Sequence, residues 1–143
     1  MNGRIEQLVE FSRRYGGDER YVLAGGGNTY FKGDGVLYVQ ASCTPLATIG
    51  GEGFVQMDIP KLRAMLQKDY PKDDAAREQA ALQDMTAALL PGQQGKRPSV
   101  ECLLHALFPY TFVLHLHPAL VDGITCAVDG EAAFAAVFGG EAV

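Results

Sequence analysis

Apolar positions Ile5, Leu8, Val9 and Phe11 recur at helical spacing near the start of the chain, and Gly16-Gly17 stops the pattern. The spacing predicts a first helix that closes there. From Tyr21 the pattern shortens to two β-like runs, YVLA and VLYVQ, separated by a glycine-rich turn, and Gly33-Asp34-Gly35 favours a chain reversal. These runs predict hairpin-linked strands at a sheet edge. Asp58 is placed to cap a helix that has Pro60 in its first turn and Leu62, Met65 and Leu66 on one face, with Tyr70-Pro71 closing it. That helix is expected to cover the sheet. Residues 73–90, rich in Ala, Leu, Glu and Gln, form a second helix candidate, and PGQQGKRP is a polar connection to the next element.

Pro98 suits the first turn of a helix containing VECLLHAL; Pro109 interrupts it, and TFVLHLH reads as a strand ending at Pro118. Beyond Pro118 the pattern predicts a short helix, a strand around ITCAV, and an Ala/Phe-rich helix that stops at Gly139-Gly140. Helices and strands thus alternate irregularly, and two of the β runs are joined by a tight turn. This implies an α/β layered domain with a mostly antiparallel central sheet flanked by helices.

Composition narrows the setting. The 143 residues are one domain's worth of chain, and 48% hydrophobic content can bury one core of ordinary size. A formal net charge of -5 gives no general attraction to a phosphate polymer, so nucleic acid is not an expected partner. No stretch has the apolar length of a signal peptide core or a membrane span, so the expected location is cytoplasmic, with no membrane partner. Cys43, Cys102 and Cys126 are odd in number and widely spaced, which implies reduced thiols and not a disulfide framework.

The candidate chemistry centres on His115 and His117. In a strand, residues two apart emerge on the same face, so one cation can meet both imidazoles. Two nitrogens do not complete a protein site for zinc or a similar divalent ion, and Glu101 is the first candidate for the third ligand. His105 lies one helical turn after Glu101 and reads as a hydrogen-bonded packing histidine. Gly25-Gly26-Gly27-Asn28-Thr29 offers consecutive unobstructed amides that suit a phosphate or carboxylate, or else form a flexible turn. It is not a dinucleotide fingerprint, since Tyr30 stands at the third glycine position, and GKR at 95–97 lacks the rest of a P-loop. Ser42, Thr44 and Ser99 add hydroxyls near turns, each singly a local cap or turn residue.

Taken in order, GGGNT at 25–29, VQASCTPLATIGGEGFVQMD at 39–58, RPSVECLLH at 97–105 and HLHP at 115–118 resemble the class II aldolase/adducin family. The spelling is most similar to the branch that includes the aldolase half of rhamnulose-1-phosphate aldolase/dehydrogenase proteins, and the resemblance covers roughly residues 5–128. It implies that residues 1–143 are the N-terminal part of such a domain. It further implies that His115 and His117 bind a catalytic zinc or another divalent metal, and that Glu101 serves as acid/base and can touch the metal. Asn28, Thr29, Ser42 and Ser99 are implied to line a phosphate pocket. The family's glycine after the serine is Cys43 here, and its common lysine is Gln40.

The implied activity is metal-dependent retro-aldol cleavage of a ketose 1-phosphate to dihydroxyacetone phosphate and an aldehyde, by a homo-oligomer. The family's third zinc histidine and its proton-donor tyrosine have no counterpart before Val143, so the chain is expected to be truncated and incomplete as a site. The alternative is a non-catalytic binding or oligomerisation module of the adducin-like type.

Overall fold

The computed structural model describes residues 2–23 and 26–139. Helix α1 (Asn2–Gly16) is the first element, and Arg13 and Arg14 stand in its last turn, where cations complement the helix dipole. Strands β1 (Asn28–Gly33) and β2 (Val36–Gln40) follow, then β3 (Phe54–Asp58), helix α2 (Ile59–Ala64) and helix α3 (Asp74–Ala87). Helix α4 (Cys102–Leu107), strand β4 (Phe112–His115), and helices α5 (Ala119–Thr125) and α6 (Gly130–Phe138) complete the order. The four strands form one antiparallel sheet in the order β3-β2-β1-β4. No described helix is long and apolar enough to cross a membrane.

The β1–β2 hairpin turns on Asp34 (φ 53) and Gly35 (φ 77). Positive φ at both central residues matches the right-handed twist of the strands it joins. Registers follow from that turn: Tyr30 faces Val39 and Phe31 faces Tyr38. Because directly paired residues share a face, the sheet has two distinct sides. On one side Tyr30, Leu37, Val39, Val55 and Met57 pack with Leu62 and Met65 from the α2 region and with Cys102 and Ala106 of α4. On the other, Phe31, Tyr38 and Phe54 pack with Leu8 of α1 and with Ile49.

Helix α1 approaches its side closely. A Cβ on Gly16 would stand 2.3 Å from Leu46 Cβ and 2.7 Å from the Leu46 carbonyl carbon, so glycine is required where the helix meets the loop after β2. Arg13 Nε donates to the Ile49 carbonyl at 2.7 Å and ties the same helix end to that loop. On the opposite layer, Asp58 caps α2 by accepting from Lys61 N at 2.9 Å. Such a cap contributes about 1 kcal/mol.

Several expectations change. β1 and β2 are the two interior strands and not a sheet edge. The YVLA run does not extend into a strand over residues 21–23, while Ala24 lies outside the described residues; the strand begins instead at Asn28, within the supposed turn. The β3 strand, FVQMD, adds to the strands that the hydrophobic pattern predicts. Leu66 is exposed, since the chain tightens into a 3-10 turn at Met65–Gln67 and rotates Leu66 off the buried face. Pro98 is not helical; it bridges to Ala41, and α4 starts at Cys102. The ITCAV segment forms no strand, because Ile124 and Thr125 continue α5 and Cys126 N bonds back to the Asp122 carbonyl.

Candidate functional site

Asn28 opens β1 and pairs in register with His115, the last residue of β4. The pairing sets both side chains on the α4 side of the sheet, and Asn28 Nδ2 lies 3.4 Å from His115 Nδ1. His117 follows two residues later, and the two imidazole centroids are 4.7 Å apart. Gly26 and Gly27 run flush against this segment. A Cβ on Gly27, whose φ is 81, would sit 2.4 Å from the His115 carbonyl oxygen, and one on Gly26 would sit 3.3 Å from His117 Cβ. These glycines serve close backbone approach, while Gly25 lies outside the described residues.

A second set of residues arrives from the end of β2. The sheet register is prolonged past Gln40 by the Ala41–Pro98 bridge, by Ser42 N donating to Arg97 O at 2.8 Å, and by Ser99 N donating to Gln40 O at 3.3 Å. Ser42 Oγ donates to the Pro98 carbonyl at 2.9 Å. Ser99 Oγ accepts from Asn28 Nδ2 at 3.3 Å and donates to the Glu101 carboxylate. Asn28, Ser42, Ser99, Glu101 and His117 together line a cleft of about 270 Å³. Thr29 departs from this set. It alternates to the α1 side of the sheet, fully buried, with its hydroxyl 2.6 Å from Ser12 Oγ, and so turns its side chain away from the cleft.

Burial pushes the Glu101 carboxyl up, but the Ser99 hydroxyl bond, a backbone bond and the nearby imidazoles outweigh it and hold it below the usual glutamate value. Glu101 is therefore a carboxylate at neutral pH, poised as a base and not as a raised-pKa acid. Burial, with His117 nearby, lowers His115 against a smaller opposing effect of Glu101. A neutral imidazole is the form that ligates. Among the described residues no three His, Cys, Asp or Glu side chains are grouped to hold a metal ion. The expected triplet of His115, His117 and Glu101 is thus not assembled as a ligand set, and the Glu101 carboxylate is instead engaged by Ser99. The imidazole pair fits two positions around a divalent ion; the residues described do not supply a third.

His105 is 1% exposed, stacks on Tyr30 at 4.3 Å between centroids, and stands 5.8 Å from His115. It packs as anticipated, but neither ring nitrogen has a hydrogen-bond partner among the described residues. Sequence reasoning missed Asp122, whose Oδ2 lies 3.8 Å from His117 Nδ1. The signal was Pro118, which starts α5 and turns that carboxylate, one helical turn on, back toward the histidine.

Cys43 adopts φ 65, a left-handed conformation that favours glycine. That is the position where the resembling family carries glycine. Cys43→Gly is expected to raise stability by about 1 kcal/mol, read as a shift of the urea midpoint at unchanged m-value. A midpoint that stays put or falls would show that no backbone strain resides there.

No protein-family model matches the chain. It is 30% identical, in an alignment 136 positions long that covers 89% of this chain, to the Bacillus subtilis (strain 168) protein described as uncharacterized oxidoreductase YuxG. The chain spans 19% of that protein. Its structure is similar to that of the N-terminal class II aldolase domain of a conserved protein from Thermoplasma acidophilum, at a TM-score of 0.77 and 31% identity. The match covers 94% of this chain and 64% of that one.

Proposed function

From a chain that is a class II aldolase-type domain in fold and sequence, we propose that the cleft performs metal-assisted aldol cleavage of a small ketose. The form implied by the resemblance is a ketose 1-phosphate, giving dihydroxyacetone phosphate and an aldehyde. The observation that carries this reading is the adjacency of the His115 and His117 rings, 4.7 Å apart, beside a cleft that Glu101 lines.

His115 and His117 would hold a divalent ion, zinc being suited to imidazole nitrogen. When bound, it would supply Lewis-acid stabilisation of the negative charge that develops on the substrate. Glu101, held as a carboxylate, takes the proton from the hydroxyl on the far carbon of the bond that breaks. The electron pair of that carbon–carbon bond passes to the carbonyl side, the aldehyde departs, and Glu101 returns the proton to the remaining carbon. Ser99 fixes the carboxylate through its hydroxyl, and Asn28 fixes Ser99. An oligomer in the cytoplasm, with no nucleic-acid or membrane partner, is the setting this reading carries with it.

Purified protein is expected to bind about one zinc per chain, weakly for want of a third imidazole or carboxylate. A His115→Ala, His117→Ala double variant should lose that ion by atomic absorption and lose ketose cleavage with it. Unchanged metal content in the variant would remove the two histidines from the reading. The absence of a three-ligand group among the described residues favours a second reading, a binding or assembly module without turnover. Cleavage of no ketose by zinc-loaded protein would favour that one.

A further inference from the structure

The two histidines of the cleft differ in what stands beside Nδ1. At His115 it is the Asn28 side-chain amide, 3.4 Å away, a group that donates through its nitrogen and accepts through its oxygen. At His117 it is the Asp122 carboxylate, 3.8 Å away, which as an anion only accepts. Backbone bonds on either side hold Asp122 in place: its N–H donates to Pro118 O at 3.0 Å, and its carbonyl accepts from Cys126 N at 2.9 Å. Pro118, at the N-cap of α5, joins that turn directly to His117. Among the described residues no other side chain forms an ion pair or hydrogen bond with this carboxylate. The other acidic group lining the cleft, Glu101, is engaged by Ser99.

At 3.8 Å the pair is longer than a charge-assisted hydrogen bond, so its effect on the ring is electrostatic. A neutral imidazole carries its proton on one nitrogen and a lone pair on the other. A lone pair on Nδ1 is repelled by the nearby carboxylate oxygen, and an N–H there is attracted to it. The carboxylate therefore draws the proton to Nδ1 and leaves the lone pair on Nε2. A divalent ion needs that lone pair, and a carboxylate on the far side of the ring makes it a better donor.

We propose that Asp122 is a positioning residue of the imidazole pair: its carboxylate keeps the His117 proton on Nδ1 and so presents the Nε2 lone pair to a divalent cation. The inference rests on the metal-assisted reading of the same cleft. Asp122 acts through His117 and is not itself a third ligand, since no three such side chains are grouped among the described residues.

The test begins with metal-free protein at a pH where the rings are neutral. Long-range hydrogen–nitrogen NMR correlations distinguish Nδ1–H from Nε2–H rings, and the His117 signals are identified by their loss in His117→Gln. His117 is expected in the Nδ1–H form in the wild type and in Asp122→Asn, whose amide oxygen still accepts. Asp122→Ala should return it to the Nε2–H form that a histidine in water favours. Zinc affinity, measured by competition with a chromophoric chelator, should weaken about ten- to a hundredfold in Asp122→Ala and stay within a few-fold in Asp122→Asn. The Asp122 side chain is about half exposed, so neither substitution disturbs the core. An Nε2–H ring at His117 in the wild type would overturn the inference, as would unchanged zinc affinity in Asp122→Ala. Equal loss of zinc in both variants would place the carboxylate on the metal and overturn it as well. Because the tautomer is read without metal, an Nδ1–H ring in a wild type that binds no zinc would sink the metal-assisted reading and leave the hold of Asp122 on His117 standing.

Discussion

Glu101→Gln is expected to lower ketose cleavage by about a hundred- to ten-thousand-fold, the range that a positioned proton-transfer group contributes. The substitution removes the proton acceptor while retaining shape, and the glutamine carbonyl can still accept the Ser99 hydroxyl that the carboxylate accepts now. The site should therefore keep its form. The loss should fall on kcat with KM little changed, because an interaction made in the transition state has been removed and ground-state binding has not. Zinc content should also be unaffected, since His115 and His117 are untouched and the carboxylate is not grouped with them as a ligand. Glu101→Gln activity within a few-fold of wild type would take Glu101 out of the mechanism. A parallel loss of zinc would instead place the carboxylate on the metal.

The depressed titration of Glu101 gives the same experiment a pH arm. A base of low pKa stays competent across the neutral range, and the rate should fall on acidification only as the carboxylate protonates. An acid limb near neutrality would contradict the carboxylate's being held down by Ser99.

How much of the fold and the site is legible in the sequence depends on whether the relevant contacts are local. The α1 periodicity, the Asp58 cap and the Gly33-Asp34-Gly35 reversal each lie within a few residues of one another, and each element forms where the pattern places it. The His115 and His117 rings lie side by side, but β4 ends at His115 and not at Pro118, so the strand's period of two reaches only the first of them. The same rule, applied to Asn28 and Thr29, separates them. Reading GGGNT as a turn hides that Asn28 already belongs to a strand, and so places Thr29 in a cleft from which its side chain points away. Glu101 depends on contacts that are not local. Its carboxylate direction is set by Ser99, and Ser99 by the Ala41–Pro98 bridge, a long-range pairing with no periodic signature. The Cys43 strain is visible only once the backbone angle is known.

Acid should destabilise this domain through His105, and most of the effect should disappear in a His105→Phe variant. Burial, with His115 close by and Lys32 adding to it against an opposing Glu101, lowers His105 from 6.5 to about 4. Between those values the unfolded chain binds a proton that the folded chain refuses, so stability falls as pH falls. Between pH 7 and pH 5 the change from this residue is about 2 kcal/mol, and most carboxylates remain ionised over that interval. Its contribution is intact above 6.5 and is lost progressively down to about 4. Phenylalanine keeps an aromatic ring against Tyr30 and removes two buried nitrogens that have no partner among the described residues, so neutral-pH stability should hold or rise. Urea titrations at pH 7 and pH 5 measure the difference directly. His115 is lowered in the same direction and should leave a smaller residual slope in the variant. An unchanged pH dependence in His105→Phe would mean that the buried ring gains its proton while folded, which would require the α4 packing against β1 and β4 to open far more readily than its burial implies.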